Sequence, residues 1–307
     1  MLERTQRGVA VVMALLVVAL ATSAATYILW QQSLWVRQVE NLNARAQADA
    51  IARAAASWAA TILAEDDPAI DHLGENWARR MPPFPAEQAQ VVGEMVDEQA
   101  KFNVNNLARE GGAAPHDFVA FQHLLAAVGL PVGLAEAVVD WLDADAEVMP
   151  PNGAEDSYYL ARDPPYRTAG RRVLELAELA HVKGFDAQIL ARLAPFVTAL
   201  PEETPVNVNT APTQVLQAVV PGLSREEIAR IVEQRKTKPF QSREDFMQAL
   251  GRPRSASSPV AQIDVKSRYF SAEATVRLGR VVVAYRALLQ RSERRPPALV
   301  ALFQVAI

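Results

Sequence analysis

From Val9 to Asp67 the chain runs 59 residues without a glycine or a proline. One helix over that stretch would be roughly 90 Å long at about 1.5 Å per residue. Residues 9–29 are almost wholly apolar, and the residues after them turn polar. No compact domain holds such a rod. About 20 apolar residues span the hydrocarbon core of a bilayer, so the first third reads as a membrane helix and the rest projects from it. Trp30 and Trp35 fall where indoles favour the outer interface.

Arg4 and Arg7 precede the apolar run, and Arg37 and Glu40 follow it. Cations at the near end favour the cytoplasm, which puts the bulk of the chain outside. Three processing readings compete. One is a cleaved secretory signal, cut among the small residues 21–25. A second is an uncleaved signal anchor. The third is a prepilin-type leader, Met1 to Gly8, cut after Gly8 so that the mature chain starts at Val9. A glycine before the cut suits a protease that approaches the backbone closely.

With that leader the chain resembles the type II secretion pseudopilins. Most of that superfamily has Glu as the fifth mature residue, where this chain has Met13. The resemblance implies that this Glu neutralises the amino terminus of the neighbouring subunit. A buried carboxylate without a partner is costly, and a subunit at the very tip has no neighbour ahead of it. The missing Glu therefore points to the minor pseudopilin K family.

Beyond the membrane, Leu34, Val39, Leu42, Ala46, Ile51, Ala54, Trp58 and Ile62 form an expected amphipathic stripe for a sheet or partner helices. A plain coiled-coil stalk is the bland alternative. Residues 91–103 read as one or two short strands. Phe270, Ala272, Ala274, Val276 and Leu278 alternate with polar residues, the mark of a half-buried strand. Gly279-Arg280 is a turn into a strand over 281–290, and 298–307 is a last strand after Pro296-Pro297. The economical fold is α+β, a long N-terminal helix on a small antiparallel sheet interrupted by a large all-α insertion. The resemblance implies the same pseudopilin fold. The expected division is 1–8 leader, 9–67 helix (9–29 transmembrane), 68–103 with 258–307 as a discontinuous sheet domain, and 104–257 as the insertion.

The insertion carries a degenerate duplication, about 103–145 and 206–246. Asn103-Val104-Asn105 matches Asn207-Val208-Asn209, each leading to a helix, a tight turn and a second helix. Asn suits helix starts and turns. The second copy looks like a helix-hairpin-helix element, which in other settings offers backbone N–H groups to DNA phosphate. The usual second hairpin glycine is Ser224 here, and residues 205–254 hold only eight Lys/Arg against five Asp/Glu. A helical protein-contact module, with Arg225, Arg230 and Arg235 as a solvated face, is the expectation. No nucleic acid is expected. A membrane-anchored DNA-binding protein of DNA-uptake type is the alternative.

Between Arg109 and Arg162 there is no Lys or Arg but nine acids, six of them within 140–156. Clustered carboxylates without cations repel one another, and Ca²⁺ takes six to eight oxygens from such loops. No EF-hand spacing follows Asp143-x-Asp145. The stretches 140–145, 153–156, Tyr158-Tyr159 and 165–167 look like the corresponding segment of the pseudopilin K family, which has calcium in its helical insertion. The candidate ligands are Asp140, Asp143, Asp145, Glu155 and Asp156, with Asp140 also placed as a helix-surface residue. The bland alternative is a solvated loop paired with Arg162, Arg167 or Arg171.

No P-loop, G-x-S-x-G or H-E-x-x-H motif is present, and no cysteine for thiol chemistry or disulfides. His116 and His123 lack a third zinc ligand. The chain therefore reads as non-enzymatic, with calcium as a structural ion. The resemblance implies a single-pass inner-membrane protein with a periplasmic head, processed by prepilin peptidase with N-terminal methylation, and incorporated into the pseudopilus. It also implies contact with minor pseudopilins I and J and the inner-membrane assembly platform, in a tip complex that initiates or caps assembly for protein export.

Overall fold

The computed structural model describes residues 3–86, 89–109, 112–251, 262–292 and 295–305. Residues 1–2 of the expected leader, 258–261 at the start of the expected second sheet segment and 306–307 of the expected last strand lie outside these. Of Arg4, Arg7 and Gly8 only the helical backbone is described.

Helix α1 spans Glu3–Glu65. It stops just before Pro68, which can neither continue the hydrogen-bond ladder nor let the residue ahead of it stay helical. Five strands form one sheet: β1 Met81–Ala86, β2 Ala89–Asp97, β3 Tyr269–Leu278, β4 Val281–Ser292 and β5 Arg295–Val305. They lie in sequence order and every pairing is antiparallel. The sheet is a meander interrupted once, between β2 and β3, where Val91 faces Val276 and Asp97 faces Phe270. The β3–β4 hairpin closes on Gly279-Arg280, and Gly279 has φ +58, a conformation a side chain disfavours.

The face of α1 that meets the sheet is not the expected stripe. Leu34, Val39, Leu42 and Trp58 are exposed, as are Ala46 and Ala54, and Ile51 and Ile62 are half-buried. The buried positions are Ala48, Ala52, Ala56, Ala59 and Leu63. Their spacing of four, four, three and four keeps one helix face inward, and methyl side chains let the helix lie close on the sheet. Ala48 and Ala52 meet Ala89, Val91, Val276, Leu278 and Tyr285. Ala59 and Leu63 meet Trp77, Met95, Phe270 and Leu289. The replacement Ala52→Leu should overpack this contact and cost about 1–3 kcal/mol, read as a lower denaturant midpoint. Ala54→Leu, on the exposed side, should change it by less than about 0.5 kcal/mol.

These two clusters also orient the molecule. The β3–β4 turn sits beside the part of α1 nearer its apolar N-terminal stretch. The ends of β2 and β3 at Asp97 and Tyr269 sit beside its last turns. The insertion therefore leaves and rejoins the sheet at the end remote from the apolar shaft.

The insertion holds helices α2 Pro115–Ala127, α3 Leu134–Leu142, α4 Asp156–Tyr159, α5 Ala187–Leu193, α6 Thr213–Val219, α7 Arg225–Thr237 and α8 Arg243–Ala249. One apolar core, including Phe102, Phe121, Leu124, Val138, Tyr159, Leu216, Phe240 and Phe246, runs through it.

Candidate metal centre and the junction that carries the insertion

The two Asn-x-Asn segments hold the backbone in the same way. Asn103 Oδ1 accepts from the Asn105 N–H at 3.1 Å, and Asn207 Oδ1 from the Asn209 N–H at 2.9 Å. The Asn105 amide then grips Val173, accepting from its N–H and donating to its C=O, both at 2.9 Å. The Asn209 amide grips Phe240 identically, at 2.9 and 3.0 Å. Each segment pairs in parallel with a short distant strand, Asn103 with Thr198 and Asn207 with Asp264. These asparagines are consumed as scaffold.

The start of α7 is likewise occupied. Ser224 Oγ accepts from the Glu227 N–H at 3.1 Å, and the Glu227 carboxylate accepts from the Ser224 N–H at 2.8 Å. A carboxylate thus fills the amide site that a hairpin of this kind would offer a phosphate. Arg225 and Arg230 are exposed, but Arg235 is half-buried and donates to the Val208 carbonyl at 2.7 Å. The expected solvated arginine face is thus two arginines, and the third ties α7 to the second Asn-x-Asn segment.

The acidic segment follows α3. Three carboxylates, those of Asp143, Asp145 and Glu155, offer oxygens all within 4.8 Å of one another. Glu155 is buried, and both its Oε1 and Oδ1 of Asp143 are buried without a hydrogen-bond partner. Burial pushes the Asp143 carboxyl up to about 6, helped by Asp145 and Asp140. Burial pushes Glu155 up to about 7, helped by Asp140, Asp143 and Asp145. Arg167 is drawn to Asp156 at 2.9 Å and Arg171 to Glu178 at 3.2 Å. Arg162 lies over the Tyr158 ring. Among the described residues none of these cations pairs with the three carboxylates.

The other two candidate ligands have other tasks. Asp140 is fully buried on α3 rather than on a helix surface, and its carboxylate accepts from the Met149 N–H at 3.1 Å. Asp156 takes Arg167 and, at 3.0 Å, the Thr168 N–H. The loop between them is folded tightly. A Cβ on Gly153 would stand 2.5 Å from the Met149 carbonyl oxygen and also strike the Asp140 carboxylate, so only glycine fits. Beneath lies an aromatic floor: Tyr159 packs against Trp141 at 5.2 Å and against Tyr166 at 5.3 Å between ring centroids. Lys183 donates its backbone N–H to the Tyr159 hydroxyl and its Nζ to the Gly153 carbonyl. Buried, unpartnered carboxylate oxygens converging from two sides are a donor set suited to a hard divalent cation.

A second polar assembly joins insertion to sheet, and sequence reasoning missed it. Asp97, Glu98 and Gln99 are all buried where β2 ends. Asp97 Oδ2 accepts from Thr210 Oγ1 (2.6 Å), Ser267 Oγ (2.7 Å) and Asn207 Nδ2 (3.1 Å). Glu98 accepts from Ser271 Oγ, Thr198 Oγ1 and Lys101 Nζ. Gln99 accepts from the Arg268 N–H and donates to the Pro205 carbonyl. Next to it, buried Arg291 reaches Asp66 at 2.9 Å and also pairs with Asp71. The available signal was three consecutive polar residues ending an alternating strand.

A long helix that leaves an apolar shaft free and seats its second half on an antiparallel meander defines a pilin-like class of protein. Comparison with known proteins narrows this. Residues 100–202 and 206–266 match two family models, both described as type II secretion system (T2SS), protein K. The type II secretion system protein K of Pseudomonas aeruginosa is 36% identical over 292 residues, covering 91% of this chain and 86% of that one. The Aeromonas hydrophila protein of the same name is 32% identical, covering 90% of each. A chain from the crystal structure of the GspK-GspI-GspJ complex of enterotoxigenic Escherichia coli superposes with TM-score 0.79 at 24% identity, over 88% of this chain and 100% of that one. The chain belongs to the type II secretion system protein K family, and its role is that of a minor pseudopilin in protein secretion.

Proposed function

We propose that this subunit stands at the tip of the type II secretion pseudopilus, beside minor pseudopilins I and J, where it initiates or caps assembly without enzymatic activity. The position of the insertion carries the reading. It joins the sheet at the end remote from the apolar shaft, so it crowns the head where a further subunit would have to be added. Met13 agrees, since a subunit with none ahead has no amino terminus to neutralise. The exposed apolar residues of α1 from Val9 to Leu42 have no cover from their own chain. The bilayer covers residues 9–29 before assembly, with the N-terminus cytoplasmic and the head periplasmic, and sister helices cover the shaft afterwards.

Calcium belongs to the same reading. Asp143, Asp145 and Glu155 would hold it, because buried Asp143 Oδ1 and Glu155 Oε1 have no partner among the described residues and the exposed Asp145 carboxylate stands within reach of both. The ion would pin the acidic loop to α3 and stiffen the crown.

The test is the mass of the N-terminal peptide from cells with and without prepilin peptidase. A methylated start at Val9 is expected, appearing only with the peptidase and lost in Gly8→Val. An intact Met1 with active peptidase would overturn the pseudopilus reading and leave an anchored scaffold. A start near Ala25 would make the chain an ordinary exported protein.

A further inference from the structure

An open cleft of about 550 Å³ lies between α1 and the β3–β4 turn, lined by Arg37, Glu40, Asn41, Asn43, Gln47 and Arg280. Arg37 and Arg280 are both exposed, and neither is drawn into an ion pair among the described residues. Arg277, one strand residue short of Leu278, adds a third exposed cation on the same tip.

The sequence fixes the height of this cleft. No charged residue lies between Arg7 and Arg37. Thirty helical steps separate them, roughly 45 Å at about 1.5 Å each. A bilayer including both headgroup layers is about 40–45 Å thick. With Arg7 in one headgroup layer, Arg37 therefore falls in the other. Trp30 and Trp35, both exposed, occupy the interfacial belt just before it. The Gly279-Arg280 turn shares the cleft with Arg37, so it too rests at phosphate level.

We propose that this cleft takes the headgroup of a membrane glycerophospholipid, with Arg37 and Arg280 holding the phosphodiester from two sides. Guanidinium groups suit phosphate oxygens because of their planar donor geometry. Glu40 is placed to accept from an ethanolamine ammonium, and Asn41 and Asn43 supply further hydrogen bonds. The contact would hold the head upright on the membrane before assembly and be given up when the subunit is lifted out. It rests on the reading that residues 9–29 span the bilayer.

The natural chain lacks cysteine, so a single nitroxide is easily placed. The full chain would carry it at Arg277→Cys or, on the remote insertion, at exposed Leu174→Cys. Both would be reconstituted in vesicles of phosphatidylethanolamine with some phosphatidylglycerol. Broadening of the lipid phosphorus resonance should be several-fold stronger from position 277 than from 174. It should fall well below that level when Arg37→Gln and Arg280→Gln are added. Equal broadening from both labels would overturn the proposal, as would broadening from 277 that the double variant leaves unchanged. A chain that fails to float with the vesicles would sink the membrane-anchor reading and this proposal together. Flotation with equal broadening would sink this proposal alone.

Discussion

With calcium held as proposed by Asp143, Asp145 and Glu155, its removal by a chelator should lower the thermal midpoint of the protein by on the order of 10 °C, and restoring it should recover the loss. A ligand bound only by the folded state adds about 4 kcal/mol at a thousand times its dissociation constant, and for a unit the size of the insertion about 2–4 °C follows from each kcal/mol. The pH dependence without calcium has a defined sign. In the folded chain Asp143 titrates at about 6 and Glu155 at about 7, against about 4 when unfolded. Between those limits the folded state binds more protons than the unfolded one, so stability falls as pH rises from about 4 to about 7. The chelated protein should thus melt higher at pH 5 than at pH 7.5. Calcium should reverse that trend, because it replaces the protons and binds more weakly as they return. Replacing the pair, Asp143→Asn with Glu155→Gln, should abolish the calcium response while leaving a folded chain. A midpoint that chelation does not move at pH 7.5 would refute the metal site.

The parts of the fold that a reader of the sequence could recover are those set by local rules. Most of α1 follows from the absence of Gly and Pro between Gly8 and Pro68, although the helix also runs back through Gly8 to Glu3. Strand β3 and its turn follow from strict alternation closing on Gly279-Arg280. The parts not recovered depend on partners distant in sequence. Large residues such as Leu42 and Trp58 dominate any hydrophobic pattern, yet the sheet selects the alanine face, because close approach matters more than side-chain area. Strand β1 was missed because Pro82, Pro83 and Pro85 argue against a ladder. It lies at the edge of the sheet, where missing N–H groups face no partner. In the acidic segment, composition located the loop but could not sort its acids. Only the fold turns Glu155 toward Asp143 and Asp145 and sends Asp156 to Arg167.

Arg291 should be the most damaging single replacement outside that loop, and the reason is equally non-local. It lies on β4, is 5% exposed, and no periodic pattern marks it as more than an ordinary strand cation. Its guanidinium pairs with Asp66 and Asp71, donates to the Ser267 carbonyl at 3.0 Å, and lies 5.0 Å from the centre of the Phe270 ring. It thereby fastens the chain leaving α1 to the strand ends that carry the insertion. Asp71 is fully buried and also accepts from the Ser267 N–H. Burial pushes its carboxyl up, to about 7, against the pull of Arg291. Arg291→Met would leave Asp71 buried without its cation, a loss of about 3–5 kcal/mol. The deficit should depend on pH. With the arginine gone, the folded pKa of Asp71 rises further above its unfolded value, so the variant loses stability as pH climbs toward that pKa. The gap between variant and natural chain should therefore be wide at pH 8 and narrower at pH 5, where Asp71 can stay protonated. Arg291→Lys keeps one charge but not the fork that reaches two carboxylates, and should fall between them. Denaturant titrations of the three proteins at both pH values would decide it. A pH-independent deficit in Arg291→Met would mean that the side chain acts through packing on Phe270 and not through the buried pair.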